Sequence, residues 1–471
     1  MAVNLKRDAT SVDIDSDEYQ PLLNNLQANI LRPHGRKNVR HVFITFTAGA
    51  ESARAWLGAK ATTITTAREQ YDQIKKREAN PGFDGGAVYN LYLSAAGYRA
   101  LELEPDTFGE TFDRGMKNRG KDPEPATWEA PFQAEVHAMI AVADNALVAA
   151  DQATAAIVAS LAGVGEVLTI QQGIVLRRPT GNGNLEPVEH FGFYDGISNP
   201  IFTARDLEAE KETMKIGENW DPTARLVRVL RDDPFSNVED AYGSFLVYRK
   251  LHQDVGLFER RRDELAAKIP MTPKLTEAML VGRFRDGTPV AVQDTENPDF
   301  SITNDFNYFG EDAGFKCPAH AHIRKVNPRE RVPLPDLLGE GRKRRITRRG
   351  IPYGAPVPEL GAVGVEPDPN RGADRGLLFL CFQANIKTQF EFIQRQWIDN
   401  PDFPNGTLPG SKKTGYDPLI GQASDEGQRW PRQWGDRDAG RERISFQSAV
   451  TLKGGEYFFA PSIAFLTALS Q

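Results

Sequence analysis

Cysteine is nearly missing from this chain: Cys317 and Cys381 are the two present, far apart and outside any spaced framework. No disulfide scaffold is therefore expected, and a reducing compartment fits. Long apolar runs are missing too. The longest, around "RGLLFLCFQANI", falls well short of the roughly 20 residues that cross a bilayer. The first residues, "MAVNLKRDATSVDIDSDEYQPLLNN", lack the apolar core and small-residue cleavage site of a secretory signal, so a cytoplasmic protein without membrane contact is expected. A basic excess is absent as well: 57 Lys and Arg stand against 64 Asp and Glu, a net charge of −7. That balance argues against nucleic acid as a partner, because phosphate binding needs a clustered basic surface. No short-period repeat occurs.

What is present is ordinary for a globular protein, with 40% apolar and 26% charged residues in 471. The length is too great for one small core and implies two domains, or one built from two halves. "HVFITFT" (41–47) alternates like a half-buried strand and "ESARAWLGAKATTI" follows as a helix. "AVYNLYLS" (87–94), "AEVHAMIAVA" (134–143) and "EVLTIQQGIVLRR" (166–178) read as strands, with an alanine-rich helix at 146–163. After a charged stretch at 203–240 the cycle resumes with "GSFLVYRKL" (243–251) and the helix "HQDVGLFERRRDELAAKI". Next come "GLLFLCFQAN" as strand, "IKTQFEFIQRQWI" as helix, "FQSAVTLKGGEYFFAP" as strand and "SIAFLTAL" as a terminal helix. The expected class is α+β, with two ferredoxin-like halves, antiparallel sheets with helices packed around them, of the dimeric α+β barrel type. The expected division is a loose arm over 1–20, a first half over 21–190 and a second over 191–471.

Three strings carry candidate chemistry. "CPAHAHIRKVNPR" (317–329) gathers a thiol and two imidazoles, but no second ligand pair lies near it to complete a zinc site. His320 and His322 would share a face in a strand and diverge in a helix, and the pattern alone does not choose between them. "HFGFYDGISNP" (190–200) is rich in turn formers yet aromatic, so Asp195 would be partly desolvated and would need cations or donors, as catalytic carboxylates do. "RRGIPYG" (348–354) ends the basic run "GRKRRITRRG". A charged surface loop accounts for Arg342, Lys343, Arg344 and Arg345, but less well for Arg348 and Arg349, which run into an apparent Gly-Ile-Pro-Tyr-Gly turn.

Taken together and in order, "GFYDG", "CPAHAHIRKVNPR", "RRGIPYG", "GYDPLIG" (415–421) and "GGEYFFAPSI" (454–463) resemble the dye-decolorizing peroxidases, a family of haem enzymes. The likeness runs from "ANILRPHGR" to the last helix, and the insertions resemble those of the larger bacterial and fungal-like members. It implies haem b, with His322, five positions after the cysteine, as the axial iron ligand. Asp417 of "GYDPLIG" is the implied partner of its other ring nitrogen, a contact that fixes the tautomer and makes the imidazole more donating. Asp195 and Arg348 are implied as the peroxide-handling pair. Asp195 would carry the proton and Arg348 would stabilise charge as the O–O bond polarises. Leu377 and Phe379, on one face of their strand, would wall the distal side, and Arg324 and Arg329 are candidates for the haem propionates. Gly350 stands where some members place an asparagine, so no amide is expected in the pocket.

The function implied is oxidation of bulky aromatics by hydrogen peroxide in one-electron steps through a ferryl state, with activity greatest at mildly acidic pH. Peroxide and aromatic reductants are the expected partners, and a homo-oligomer is compatible with the sequence. One rival is a protein that handles haem for storage or iron release; it needs His322 but not Asp195 and Arg348. The other is a metal-free scaffold with structural histidines.

Overall fold

The structure is a computed structural model that describes residues 3, 5, 12–119, 122–180, 183–214, 217, 219–297, 304–329, 343–404, 413–422 and 427–470. Four strands form the first half: β1 (Asn38–Phe46), β2 (Val88–Ser94), β3 (Ala138–Asp144) and β4 (Gly165–Ile174). They lie antiparallel in the order β4-β1-β3-β2. Helices α1 (Ala50–Lys60) and α2 (Ala67–Ala79) join β1 to β2, and α3 (Leu147–Ser160) joins β3 to β4.

The second half repeats this order with β5 (Tyr242–Gln253), β6 (Ile351–Tyr353), β7 (Gly376–Gln383) and β8 (Val450–Ala460), arranged β6-β7-β5-β8. Both halves thus have the ferredoxin-like strand order. Helices α4 (Val255–Lys268) and α5 (Pro273–Val281) follow β5, each begun by a side-chain cap. Asp254 accepts from the Leu257 N–H at 2.8 Å and Thr272 from the Leu275 N–H at 3.2 Å.

The two sheets fuse where β8 pairs with β2, through Phe458 opposite Ser94 and Phe459 opposite Leu93. Their outer edges, β6 and β4, approach through side chains. A Cβ at Gly173 would lie 2.6 Å from Ile351 Cγ2, so this meeting of edges needs a residue without a side chain. The continuous sheet is rolled into a barrel, which covers strand edges that would otherwise be exposed. Inside it Phe43 packs edge-on against Tyr248 and Phe132, with centroids 4.9 and 5.2 Å apart.

Several expectations need amendment. Residues 351–353, read as part of a turn, are the edge strand β6, with Pro352 opposite Leu377; proline is tolerated on an edge because no continuous ladder depends on its missing N–H. The helix expected over "IKTQFEFIQRQWI" shrinks to Phe390–Phe392 and a π-helical turn, Ile393–Ile398. Bonds such as Asp399 N–H to Gln394 O at 2.9 Å show the wider winding, in a segment whose Ile, Thr, Phe and Trp are weak helix formers. The charged stretch at 203–240 contains a helix, Ala204–Met214. Of the 1–20 stretch, residues 1, 2, 4 and 6–11 lie outside the described residues. Val12 and Ile14 are buried, and Val12 bridges to Thr203. Among the described residues no helix is long and apolar enough to cross a membrane.

Candidate active site

Strand alternation decides where the site lies. Leu246 and Tyr248 of β5 point into the barrel core, so Arg249, Leu251 and Gln253 point outward. There they meet Leu377 and Phe379 of β7 and Val450 and Leu452 of β8 on the wall of a cavity of about 280 Å³. Every lining residue falls between Glu189 and Leu452.

One part of the wall comes from helix α6 (His322–Val326), which starts just beyond a turn closed by the Ala321 N–H on Pro318 O. His322 lines the cavity, and its Nδ1 lies 2.8 Å from Asp417 Oδ2. The Asp417 side chain is wholly buried, and its other oxygen accepts the N–H groups of Leu419 at 2.8 Å and Ile420 at 3.1 Å. A carboxylate so held can only accept, so Nδ1 carries the hydrogen, and in the neutral ring Nε2 is the nitrogen with the lone pair. Nε2 has no hydrogen-bond partner among the described residues.

His320 has a different environment. It is buried edge-on against Trp430 with centroids 4.2 Å apart, and its Nδ1 is 3.1 Å from Thr414 O. Burial pushes its pKa down to about 3, which makes it a neutral core residue. Cys317 is equally enclosed, and burial pushes its thiol up to about 12, far from a reactive thiolate. Among the described residues no cluster of three or more His, Cys, Asp or Glu could hold a metal ion, so the zinc reading gains nothing. One turn beyond His322, the buried ammonium of Lys325 donates to the carbonyls of Trp397, Asn400 and Phe403 at 3.0, 2.6 and 2.9 Å. It ties α6 to the end of the π-helical turn and to the chain that follows.

Another part of the wall comes from the "GFYDGISNP" loop. The Asp195 N–H donates to Pro187 O at 3.0 Å, closing a hairpin, and Asp195 Oδ1 accepts the Gly196 N–H at 2.7 Å. Gly196 sits at φ 85°, a conformation natural only to glycine. Two residues on, Ser198 takes φ 65° without that freedom. Such strain, on the order of 1 kcal/mol, persists only where the surroundings fix it. Here they do: Ser198 Oγ donates to Asn304 Oδ1 at 2.7 Å and accepts from Arg329 Nη2 at 2.9 Å. Arg348 Nη1 stands 4.0 Å from Asp195 Oδ1, while its Nη2 donates to Ile197 O at 2.5 Å. The pair is adjacent rather than locked. Arg349 turns away, giving its guanidinium to Asn29 O and Ile30 O at 2.7 and 2.9 Å.

The two arginines expected near the propionates separate. Arg329 lines the cavity, donates to Asn304 O and Phe306 O, and packs over Phe306 at 3.8 Å and Trp220 at 4.2 Å. Arg324 is not on the cavity wall; it donates to Cys317 O and Glu311 O and lies over Tyr308 at 4.5 Å. Arg283, Arg345 and Arg348 join Arg329 around the cavity.

Comparison with known proteins now decides the family. Residues 186–408 match the family model described as Dyp-type peroxidase, C-terminal. The chain is 35% identical over 463 residues to the multifunctional dye peroxidase DyP2 of Amycolatopsis sp., covering 96% of this chain and 97% of that one. The chain belongs to the DyP-type peroxidase family. Its fold agrees with the crystal structure of the Anabaena sp. DyP-type peroxidase: TM-score 0.88 and 39% identity, over 98% of this chain and 97% of the other. A fungal relative, the dye-decolorizing peroxidase AauDyP1 of Auricularia auricula-judae, is 30% identical over 80% of this chain and 74% of its own.

Membership implies a haem cofactor, and the donor set of this DyP-type peroxidase fits one. An imidazole with an uncommitted nitrogen, apolar side chains from β5, β7 and β8, and guanidinium groups suited to carboxylates all border one cavity. Sequence reasoning missed Glu189, Gln253, Arg249 and Arg345 on this wall. Gln253 and Arg249 follow from extending the β5 alternation by two residues beyond Leu251 and two before it. Glu189 and Arg345 carry no such signal.

Proposed function

We propose that this DyP-type peroxidase binds haem b through His322 Nε2 and uses hydrogen peroxide to oxidise bulky aromatic molecules such as dyes and phenolics. The observation that carries the reading is the His322–Asp417 pair at 2.8 Å, bordering the same cavity as Asp195 and Arg348. When bound, haem iron supplies the redox chemistry, taking two electrons' worth of oxidation from peroxide and spending it in one-electron steps. Each turnover converts one peroxide and two aromatic donors, each losing an electron and a proton, into two waters and two radicals.

The remaining work falls to side chains. Asp417 holds the His322 ring in the tautomer that presents Nε2. Asp195 would take a proton from bound peroxide and return it to the oxygen that leaves as water. Arg348, next to that carboxylate, stabilises negative charge as the O–O bond polarises. Arg329 is the better placed of the two expected propionate partners, because it reaches the cavity and Arg324 does not. A cytoplasmic setting fits the two free, buried cysteines.

The test is to load the protein with haemin and compare wild type with Asp195→Asn and Arg348→Leu. Both variants are expected to keep the wild-type resting spectrum, while the rate of the peroxide-induced spectral change falls by about 10²–10⁴-fold. Wild-type rates in both variants would instead support a protein that only handles haem, the activity carried in the name of the Yersinia deferrochelatases, which match 45% of this chain at 24% identity.

A further inference from the structure

Glu189 is a carboxylate on the cavity wall with no part in the chemistry above. Its Oε2 accepts the Phe191 N–H at 3.0 Å and its Oε1 the Phe193 N–H at 2.9 Å. The side-chain amide of Gln253, on β5, donates to Oε2 as well. The backbone of Glu189 closes the same turn, accepting from Gly192 N–H at 2.9 Å and donating to Phe193 O at 3.1 Å. Val188 and Tyr194 bridge across the hairpin, and the next residue is Asp195. The turn is packed down by Phe191, stacked on Phe258 of α4 with centroids 4.3 Å apart. Glu189 is half-buried as a residue and lines the cavity. Burial pushes its pKa up from the ordinary glutamate value against the pull of its three donors, and the charge of Asp195 adds to the rise.

A buried carboxylate with no ion-pair partner among the described residues is expensive to keep unless its acceptors are used. Here an acceptor-only group meets three converging donors, two in the loop that carries Asp195 and one in the barrel. We propose that Glu189 is a positioning residue, a cross-brace that, through Gln253, fixes the Asp195 hairpin to strand β5 and so sets where the Asp195 carboxylate stands in the cavity. This rests on Asp195 being the proton carrier. Glu189→Gln breaks the brace, because an amide has a single acceptor oxygen and must turn its own N–H groups toward at least one existing donor.

Two measurements test the brace. In the haem-free protein, backbone amide exchange over 190–196 is read by mass spectrometry; Glu189→Gln is expected to exchange there at least about tenfold faster, with the rest of the chain unchanged. In the haem-loaded protein, cyanide binding is followed by the Soret shift. Cyanide enters as HCN and must pass its proton to a base in the cavity, so association should slow about tenfold or more in Glu189→Gln, as in Asp195→Asn. The iron midpoint potential, governed from the His322 side, should not move. Gln253→Leu, which removes the tether alone, should shift both readouts the same way by less, and it carries the test if Glu189→Gln does not fold. Wild-type exchange over 190–196 together with wild-type cyanide association would overturn the brace. Wild-type cyanide association in Asp195→Asn would instead overturn the reading of Asp195.

Discussion

Asp417→Asn is the sharpest perturbation of the proposed iron side. The carboxylate is wholly buried and accepts from His322 Nδ1 at 2.8 Å, Leu419 N–H at 2.8 Å and Ile420 N–H at 3.1 Å. An asparagine there has two orientations. If its oxygen keeps the two backbone donors, its NH₂ faces Nδ1, which must then become the acceptor; the hydrogen moves to Nε2, the nitrogen that would bind iron. If the oxygen faces His322 instead, the NH₂ opposes two N–H groups. Either way one charge-assisted hydrogen bond is lost, roughly 1.5–3 kcal/mol, the range in which outer partners of metal-bound histidines act, about 10–100-fold in affinity. Haem titration of the apo-protein, read at the Soret band, should therefore show affinity 10–100-fold weaker than wild type, by analogy with those sites. The iron midpoint potential should rise, because a less donating imidazole stabilises ferric iron less. Unchanged affinity and potential in Asp417→Asn would refute the argument from tautomer to ligand.

The two histidines of "HAH" should respond in opposite ways. His322→Ala should lose the imidazole-ligated resting spectrum, whereas His320→Phe should keep it and lower only the unfolding midpoint; the reverse pattern would exchange their roles. Acid should unfold the haem-free protein early. Burial holds His34 and His190 down to about 4 and His41 and His320 to about 3. Their unfolded forms titrate near 6.5, so their stabilising contribution is complete above pH 6.5 and is lost as pH falls through the folded values. The slope approaches about 1.4 kcal/mol per pH unit for each. Urea midpoints at pH 7 and pH 5 measure this, and equal midpoints would count against four desolvated neutral rings. Gly173→Val should lower stability by about 1–3 kcal/mol through overpacking, since a Cβ there meets Ile351 and Val39 side chains at 2.6 and 2.7 Å; unaltered thermal unfolding would mean the barrel edges are not pressed together as described.

The β-strands were legible because a period of two survives in isolation. "HVFITFT" and "GLLFLCF" lie within a few residues of β1 and β7, and simple alternation puts Leu377 and Phe379 on one face. The closure of two sheets into one barrel was not legible from alternation. It depends on two residue pairs between β8 and β2 and on a glycine facing Ile351, contacts between segments far apart in the chain. The choice of His322 over His320 came only through family resemblance. Physically it turns on which ring meets Asp417, 95 residues away, and no local spacing encodes that.

The basic run misled for a different reason. Composition treats Arg344 and Arg345 as solvated charge, and Arg342 lies outside the described residues. Yet Arg344 lies 3.8 Å over Phe392 and donates to Thr388 O at 2.7 Å, while Arg345 lies 4.3 Å over Trp220 and donates to Asp221 O at 3.0 Å. Trp220 belongs to the charged stretch at 203–240, and its ring also meets Arg329 at 4.2 Å. A guanidinium can lie flat on an aromatic ring while its edge donates to carbonyls, so arginine can be packed where lysine could not. Two of the cavity's cations are thus held by one indole from a segment with no recognisable motif. Trp220→Leu should therefore loosen both: weaker haem uptake, with the resting axial spectrum preserved because the His322–Asp417 pair is untouched. Haem affinity equal to wild type would show that the indole only fills space and that carbonyls alone hold the two arginines.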